Sequence, residues 1–226
     1  MGGYPSDNLK LFQSFKRGDK AAELVCEAWS ACSEGFKEYP YHNRVAYFGP
    51  QHMGPSNPLL IKPSGYNSTM VGQPHDDINK WRAVYPTDVW IQQMERSAAG
   101  FAEGVKLLAK AREVVDEQHR GQLESLYRRA ETVRVHLQSA AEQGRFVEAR
   151  NNYYFARNSA TRNEYIKIMR EACAAEKKLI TDALEVVTRD SSIGYESSNH
   201  YFYVPIDLVE AYISILHVER WVEKIS

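Results

Sequence analysis

Four carboxylates stand in stretches that read as irregular backbone with aromatic neighbours. Asp76 and Asp77 lie in residues 73–82, and Asp190 and Glu196 lie in residues 189–203. Glycosidic cleavage needs two carboxyl groups across the scissile bond, roughly 5–10 Å apart, one of them protonated. Glu196 is the first choice for that role, because it stands between Tyr195 and a Ser-Ser-Asn-His run that can hydrogen-bond a sugar. Asp190 or Asp77 is the second. A sugar ring also presents hydroxyls and apolar C–H faces. Carboxylates, amides and guanidinium groups suit the hydroxyls, and Tyr and Trp supply flat surface with a polar rim. Asp76, Trp81, Arg82, Tyr195, Asn199, His200 and Tyr201 are therefore the expected substrate contacts. The plainer reading of these residues is that the aromatics pack loops onto helices and the acids serve as caps or ion pairs.

Other chemistries leave no signature. The chain has no His-Glu-x-x-His, Gly-x-Ser-x-Gly, Walker loop, dinucleotide fingerprint or Cys-x-x-Cys. No cofactor is expected. His75, Asp76 and Asp77 are metal-ligating types, but adjacent residues rarely converge on one ion, and a turn with a helix cap is the simpler expectation. Residues 150–158 (Arg-Asn-Asn-Tyr-Tyr-Phe-Ala-Arg-Asn) are poor helix formers within a helical rhythm. They face the same site or form a satisfied buried polar layer, and both readings stand.

The elements that must position these residues are helical. Residues 7–39 read as a short helix and a longer one, broken near Gly18. Residues 40–86 carry seven prolines and four glycines, punctuation through which helix does not continue. Short extended pieces are expected at residues 44–48 and 59–62. A long helix then starts at Thr87 or Asp88, with Ile91, Met94, Ala98, Phe101, Val105 and Leu108 in three-four alternation. Gly100 and Gly104, four apart, suggest close helix approach. Breaks are expected near His119–Gly121 and at Gln143–Gly144, with a third long helix running from Phe146 through Val187. Residues 188–204 read as a second irregular segment. Pro205 opens a last helix, whose stripe of Val209, Tyr212, Ile213, Leu216, Trp221, Val222 and Ile225 is expected to be buried. The fold class is all-α: a bundle of long antiparallel helices with a large irregular Pro/Gly/aromatic insertion, forming one helical domain over residues 1–226.

Composition agrees with a globular chain. Of 226 residues, 43% are hydrophobic and 25% charged, so disorder is not expected. A net charge of −1 without a basic face makes nucleic acid a poor partner. No apolar run approaches the ~20 residues that span a bilayer, so no membrane partner is expected. The N-terminal residues lack the basic and apolar regions of a signal peptide. Three cysteines make no disulfide framework, read as small buried hydrophobes, and point to a reducing, cytoplasmic setting.

Four stretches carry a family resemblance: Gly2-Gly3-Tyr4-Pro5-Ser6, Tyr47-Phe48-Gly49-Pro50-Gln51, Thr69-Met70-Val71-Gly72, and residues 190–201, Asp-Ser-Ser-Ile-Gly-Tyr-Glu-Ser-Ser-Asn-His-Tyr. Together they resemble the C-terminal helical region of large bacterial glycoside-hydrolase-like proteins, over nearly the whole chain. The last stretch is the most specific. In those longer proteins a catalytic (β/α)₈ barrel precedes this region, and the alternation of strands and helices it requires is not found in this sequence. Barrel acids therefore cannot be transferred to it. The resemblance implies carbohydrate as the ligand class, with release of terminal galactose or arabinopyranose from plant oligosaccharides as the associated activity.

Three functions follow as expectations. The first is a glycosidase of β-galactosidase or α-arabinopyranosidase type, using carboxylates from the two irregular segments. The second is a non-catalytic helical domain that binds carbohydrate or braces a missing barrel domain. The third is a helical interaction module. A homo-oligomer is compatible with each. A shallow aromatic groove without paired acids separates the second from the first, and a flat apolar patch marks the third.

Overall fold

A computed structural model describes residues 19–67, 72, 74–194 and 204–226, the side chain of Gln51 excepted. The described residues are all-α, a helical bundle carrying a large irregular insertion. Seven α-helices are present among them: α1 (Lys20–Lys37), α2 (Asn43–Phe48), α3 (Ile78–Trp81), α4 (Thr87–Val114), α5 (Glu117–Tyr153), α6 (Ser159–Arg189) and α7 (Pro205–Lys224). Short 3₁₀ turns occupy Pro50–His52 and Gly54–Ser56. No strand forms among the described residues; a single bridge joins Asn67 and Pro74. Nor is any helix among them long and apolar enough to cross a membrane.

These residues form two compact units. The first holds residues 19–38 and 96–134. Asp19 caps α1 by accepting hydrogen bonds from the N–H groups of Ala21 and Ala22. The core of this unit joins Leu24, Val25 and Ala28 of α1 to Val105, Leu108 and Ala111 of α4 and to Leu123, Leu126 and Ala130 of α5. Gly35 and Gly100 let α1 and α4 touch backbone to backbone, since a Cβ on Gly35 would lie 2.7 Å from the Gly100 Cα. Gly104 meets the Cys32 side chain in the same way.

The second unit holds residues 39–95 and the described residues from 135 to 226. Here α6 packs along α7, and the Gly54–Ser56 turn packs on both. Trp81, Trp90, Phe146, Met169, Leu208 and Ile215 are among its largest buried apolar side chains. Asn158 caps α6 by accepting from the Thr161 N–H, and Pro205 stands at the first turn of α7 as expected.

Several boundaries differ from expectation. The break between α4 and α5 falls at Val115–Asp116, because Asp116 accepts the His119 N–H at 2.9 Å and caps α5. Gly121 is inside that helix. Gly144 is also interior, and its missing side chain makes room for the Trp90 ring, 2.7 Å from where a Cβ would stand. The helix therefore runs on to Tyr153, and the true break is at residues 154–158. Residues 44–48 are helical rather than extended. Residues 59–62 form no strand: the Leu59 carbonyl accepts from Ser214 Oγ and the Leu60 carbonyl from Arg150 Nη1. The buried stripe of α7 is Leu208, Ala211, Ile215, Val218 and Val222; Val209, Ile213 and Leu216 are exposed. Cys32 and Cys173 are buried, and burial pushes the Cys173 thiol up to about 12, but Cys26 is exposed.

Candidate functional site

The cleft of the second unit is assembled from the irregular insertion and the end of α5. Two adjoining hollows share Pro63 and Asn151. The smaller, about 250 Å³, is lined by Tyr66, Asn67, Asp76, Asp77 and Lys80. The larger, about 630 Å³, is lined by Asn79, Glu148, Asn152, Tyr154 and Phe155.

Its floor is an ion pair. Arg150 and Asp76 are both buried, and Arg150 donates from Nη1 to Asp76 Oδ2 at 3.0 Å. Ser64 completes the carboxylate shell, with its N–H on Oδ2 and its hydroxyl on Oδ1. Arg150 also holds the Leu60 and Asp76 carbonyls. Burial pulls the guanidinium below its usual range, and the neighbouring Asp76 carboxylate opposes that pull. One buried cation thus fastens two stretches of the insertion to α5. Asn151 Oδ1 accepts from Arg150 Nε and Nη2, which leaves the Asn151 amide nitrogen as the group available to a ligand.

The walls are aromatic and amide. Tyr66 is 65% exposed and Phe155 82%. Tyr66 is held from behind: its carbonyl accepts the His75 N–H, its N–H donates to Ser64 Oγ, and its ring lies 5.7 Å from the His75 ring. His75 is itself fixed by Asn57, and burial lowers its pKa. Tyr154 packs against Trp221 and Tyr153. The Tyr66 and Tyr154 rings are thus held in place beside the cleft, and the Phe155 ring stands exposed next to them.

The residues singled out from the sequence fall into four groups. Asp77 lines the smaller hollow, where it caps α3 by accepting the Asn79 N–H and lies 3.8 Å from Lys80 Nζ. Asp76 lines it too, but its oxygens are committed to Arg150 and Ser64, so it is a brace for the cleft rather than a free substrate contact. Trp81 requires a correction: its ring is fully buried, and its Nε1–H donates to the Pro74 carbonyl at 2.6 Å. No face of that ring reaches a ligand. Arg82 is likewise a latch for the turn after α3, bonded to Asn79 Oδ1 and the Tyr85 carbonyl. Asp190 ends α6 and accepts from the Ser192 N–H and hydroxyl, and it lines neither hollow. Glu196, Tyr195, Asn199, His200 and Tyr201 lie outside the described residues.

Sequence reasoning misses Tyr66 and Glu148 as lining residues, and it reaches Asn152, Tyr154 and Phe155 only as part of residues 150–158, through the poor helix propensity of that stretch. The structure divides that stretch between buried and cleft-lining residues. Arg150 is the buried, satisfied one; Asn151, Asn152, Tyr154 and Phe155 face the cleft.

A second polar cluster is sealed inside the unit. His75 meets Asn57, Asn57 donates to Gln143, Gln143 donates to Ser139, and Ser139 donates to Glu176 at 3.0 Å. Glu176 is 1% exposed, and burial raises its carboxyl well above the usual carboxylate range. Burial also raises Glu142, one turn along α5 from Gln138, against the opposing charge of Arg145. The two carboxyls with raised pKa are therefore buried, where no sugar can reach them. Among the described residues, no group of three or more His, Cys, Asp or Glu is placed to hold a metal ion. The chain matches no family model, no curated protein and no solved structure.

Proposed function

We propose that this chain is a carbohydrate-binding helical domain, non-catalytic in itself, whose ligand lies in the cleft between the insertion and the end of α5. The observation that carries the reading is the pairing of exposed rings with amides. Tyr66 stands in one hollow, Tyr154 and Phe155 in the next, and Asn151 is shared between them. Rings cover the apolar faces of a sugar, and amides exchange hydrogen bonds with its hydroxyls. The weak net charge suits a neutral ligand. The family resemblance supports the same ligand class, and it makes oligosaccharides ending in galactose or arabinopyranose the first to try.

Among the described residues, the acids favour binding over hydrolysis. Asp76 is consumed by Arg150, and Asp77 is a helix cap paired with Lys80. Glu148 accepts from Asn152. The raised acids, Glu176 and Glu142, belong to the buried cluster.

Isothermal titration of the purified chain against a panel of neutral oligosaccharides tests the proposal. Tyr66→Ala and Phe155→Ala should each weaken binding about tenfold, the scale of one lost ring contact, while circular dichroism stays unchanged. Failure of every sugar to bind at millimolar concentration refutes the reading. Turnover of chromogenic glycosides by highly purified chain, lost in Glu196→Gln, restores the glycosidase reading instead.

A further inference from the structure

We propose that the larger hollow is a subsite for an acetamido group, so that the ligand it selects is an N-acetylated amino sugar. This rests on the carbohydrate reading of the cleft. Three asparagines line the hollow, Asn79, Asn151 and Asn152. A charged neighbour holds one end of each amide. Arg82 grips Asn79 Oδ1 with Nε at 3.3 Å and Nη2 at 3.0 Å. Arg150 grips Asn151 Oδ1 with the same two groups, at 3.2 and 2.9 Å. Asn152 Nδ2 donates to Glu148 Oε1 at 2.9 Å. A guanidinium only donates and a carboxylate only accepts, so none of the three amides can be turned round. Asn79 and Asn151 are therefore left with their NH2 groups for a ligand, and Asn152 brings its oxygen. Glu148 Oε2, without a partner among the described residues, adds a second acceptor to the same hollow.

Fixed donors and acceptors suit a ligand group that is itself fixed. A hydroxyl rotates to donate or to accept, so it gains little from preset directions. A secondary amide carries a carbonyl that only accepts and an N–H that only donates. The carbonyl suits Asn79 and Asn151, whose NH2 groups are polarised by the arginines behind them. The N–H suits Asn152 Oδ1 or Glu148. The methyl needs apolar cover, and Tyr154 and Phe155 stand exposed in the same hollow. Other polar groups use only half of the set. A carboxylate would take the two donors but meet the Glu148 charge. An ammonium would take Glu148 but leave both NH2 groups facing a second donor, with an arginine behind each.

Isothermal titration of the full chain tests the subsite, with the methyl glycosides of galactose and glucose, each as the parent sugar, the 2-amino form and the 2-acetamido form. In at least one series the acetamido sugar should bind about tenfold tighter than its parent, the scale of one or two added hydrogen bonds. The amine should fall back to the level of the parent. Asn151→Asp and Asn79→Asp each keep an acceptor for their arginine and exchange the free NH2 for an oxygen. Each should erase the acetamido preference, a ratio that a general loss of folded protein does not move, with circular dichroism unchanged. Equal affinity for parent and acetamido sugars overturns the subsite and leaves the carbohydrate reading standing. So does a preference that survives both substitutions. An amine that binds tightest also overturns it and assigns the hollow to a cation held by Glu148. If no member of the set binds while another neutral oligosaccharide does, the subsite falls alone; if no sugar of any kind binds, both readings fall.

Discussion

Replacing Glu176 by glutamine should stabilise the protein increasingly as pH rises. Glu176 is buried on α6 with one hydrogen bond, from Ser139, and its Oε1 has no partner among the described residues. Its folded pKa is raised well above that of an unfolded glutamate, by burial first. Below the unfolded value of about 4.3 both states hold the proton and nothing is lost. Above it the unfolded chain releases a proton that the fold retains, so stability falls by about 1.4 kcal/mol per pH unit until the folded pKa is passed. Between pH 5 and pH 7 the stability difference should therefore grow in favour of the glutamine variant, by up to about 3 kcal/mol, the limit for a carboxyl protonated throughout. Glutamine keeps the size and the acceptor for Ser139 and cannot ionise. Glu142, raised in the same direction, is common to both proteins and largely cancels in the comparison. The assay is urea denaturation of wild type and Glu176→Gln at pH 5, 6 and 7. The quantity to follow is the change in their stability difference, because a fixed cost of burying the amide drops out. A difference that stays constant across that range shows that Glu176 is ionised in the fold, and refutes the argument.

Other outcomes follow from the same contacts. Asp76→Asn should cost about 3–5 kcal/mol in denaturant unfolding, since it strands the buried Arg150 charge; a loss under about 1 kcal/mol would mean that the pair does not hold the insertion. Gly100→Ala should lower stability by about 1–3 kcal/mol through overpacking against Gly35, whereas Gly121→Ala, with nothing near its side-chain position, should raise it by roughly 0.5–1 kcal/mol. Asn158→Ala should remove about 1 kcal/mol as the α6 cap is lost, measured by thermal or denaturant unfolding.

Local structure was legible in the residues themselves. Three-four apolar alternation specifies helices, Pro205 specifies the first turn of α7, and the prolines and glycines of residues 40–86 exclude long helices there. Each signal acts within a turn or two of the backbone. Glycine misleads where its effect is not local. Gly144 sits inside α5 because a helical glycine costs only about 1 kcal/mol, and packing against Trp90 rewards its small size.

Which chemically suitable residues are available to a ligand was settled only by long-range packing. Trp81 has the right type for a sugar platform, yet the fold covers its ring and bonds its N–H to Pro74. Asp76 has the right type for a catalytic acid, yet Arg150, 74 positions away, consumes it. The outward face of α7 is as apolar as its neighbour, so periodicity alone could not select which of the two is buried. Burial, pairing and exposure are set by residues distant in sequence, and a helical pattern gives the rotation of a face only relative to its own axis, not to the neighbour it meets.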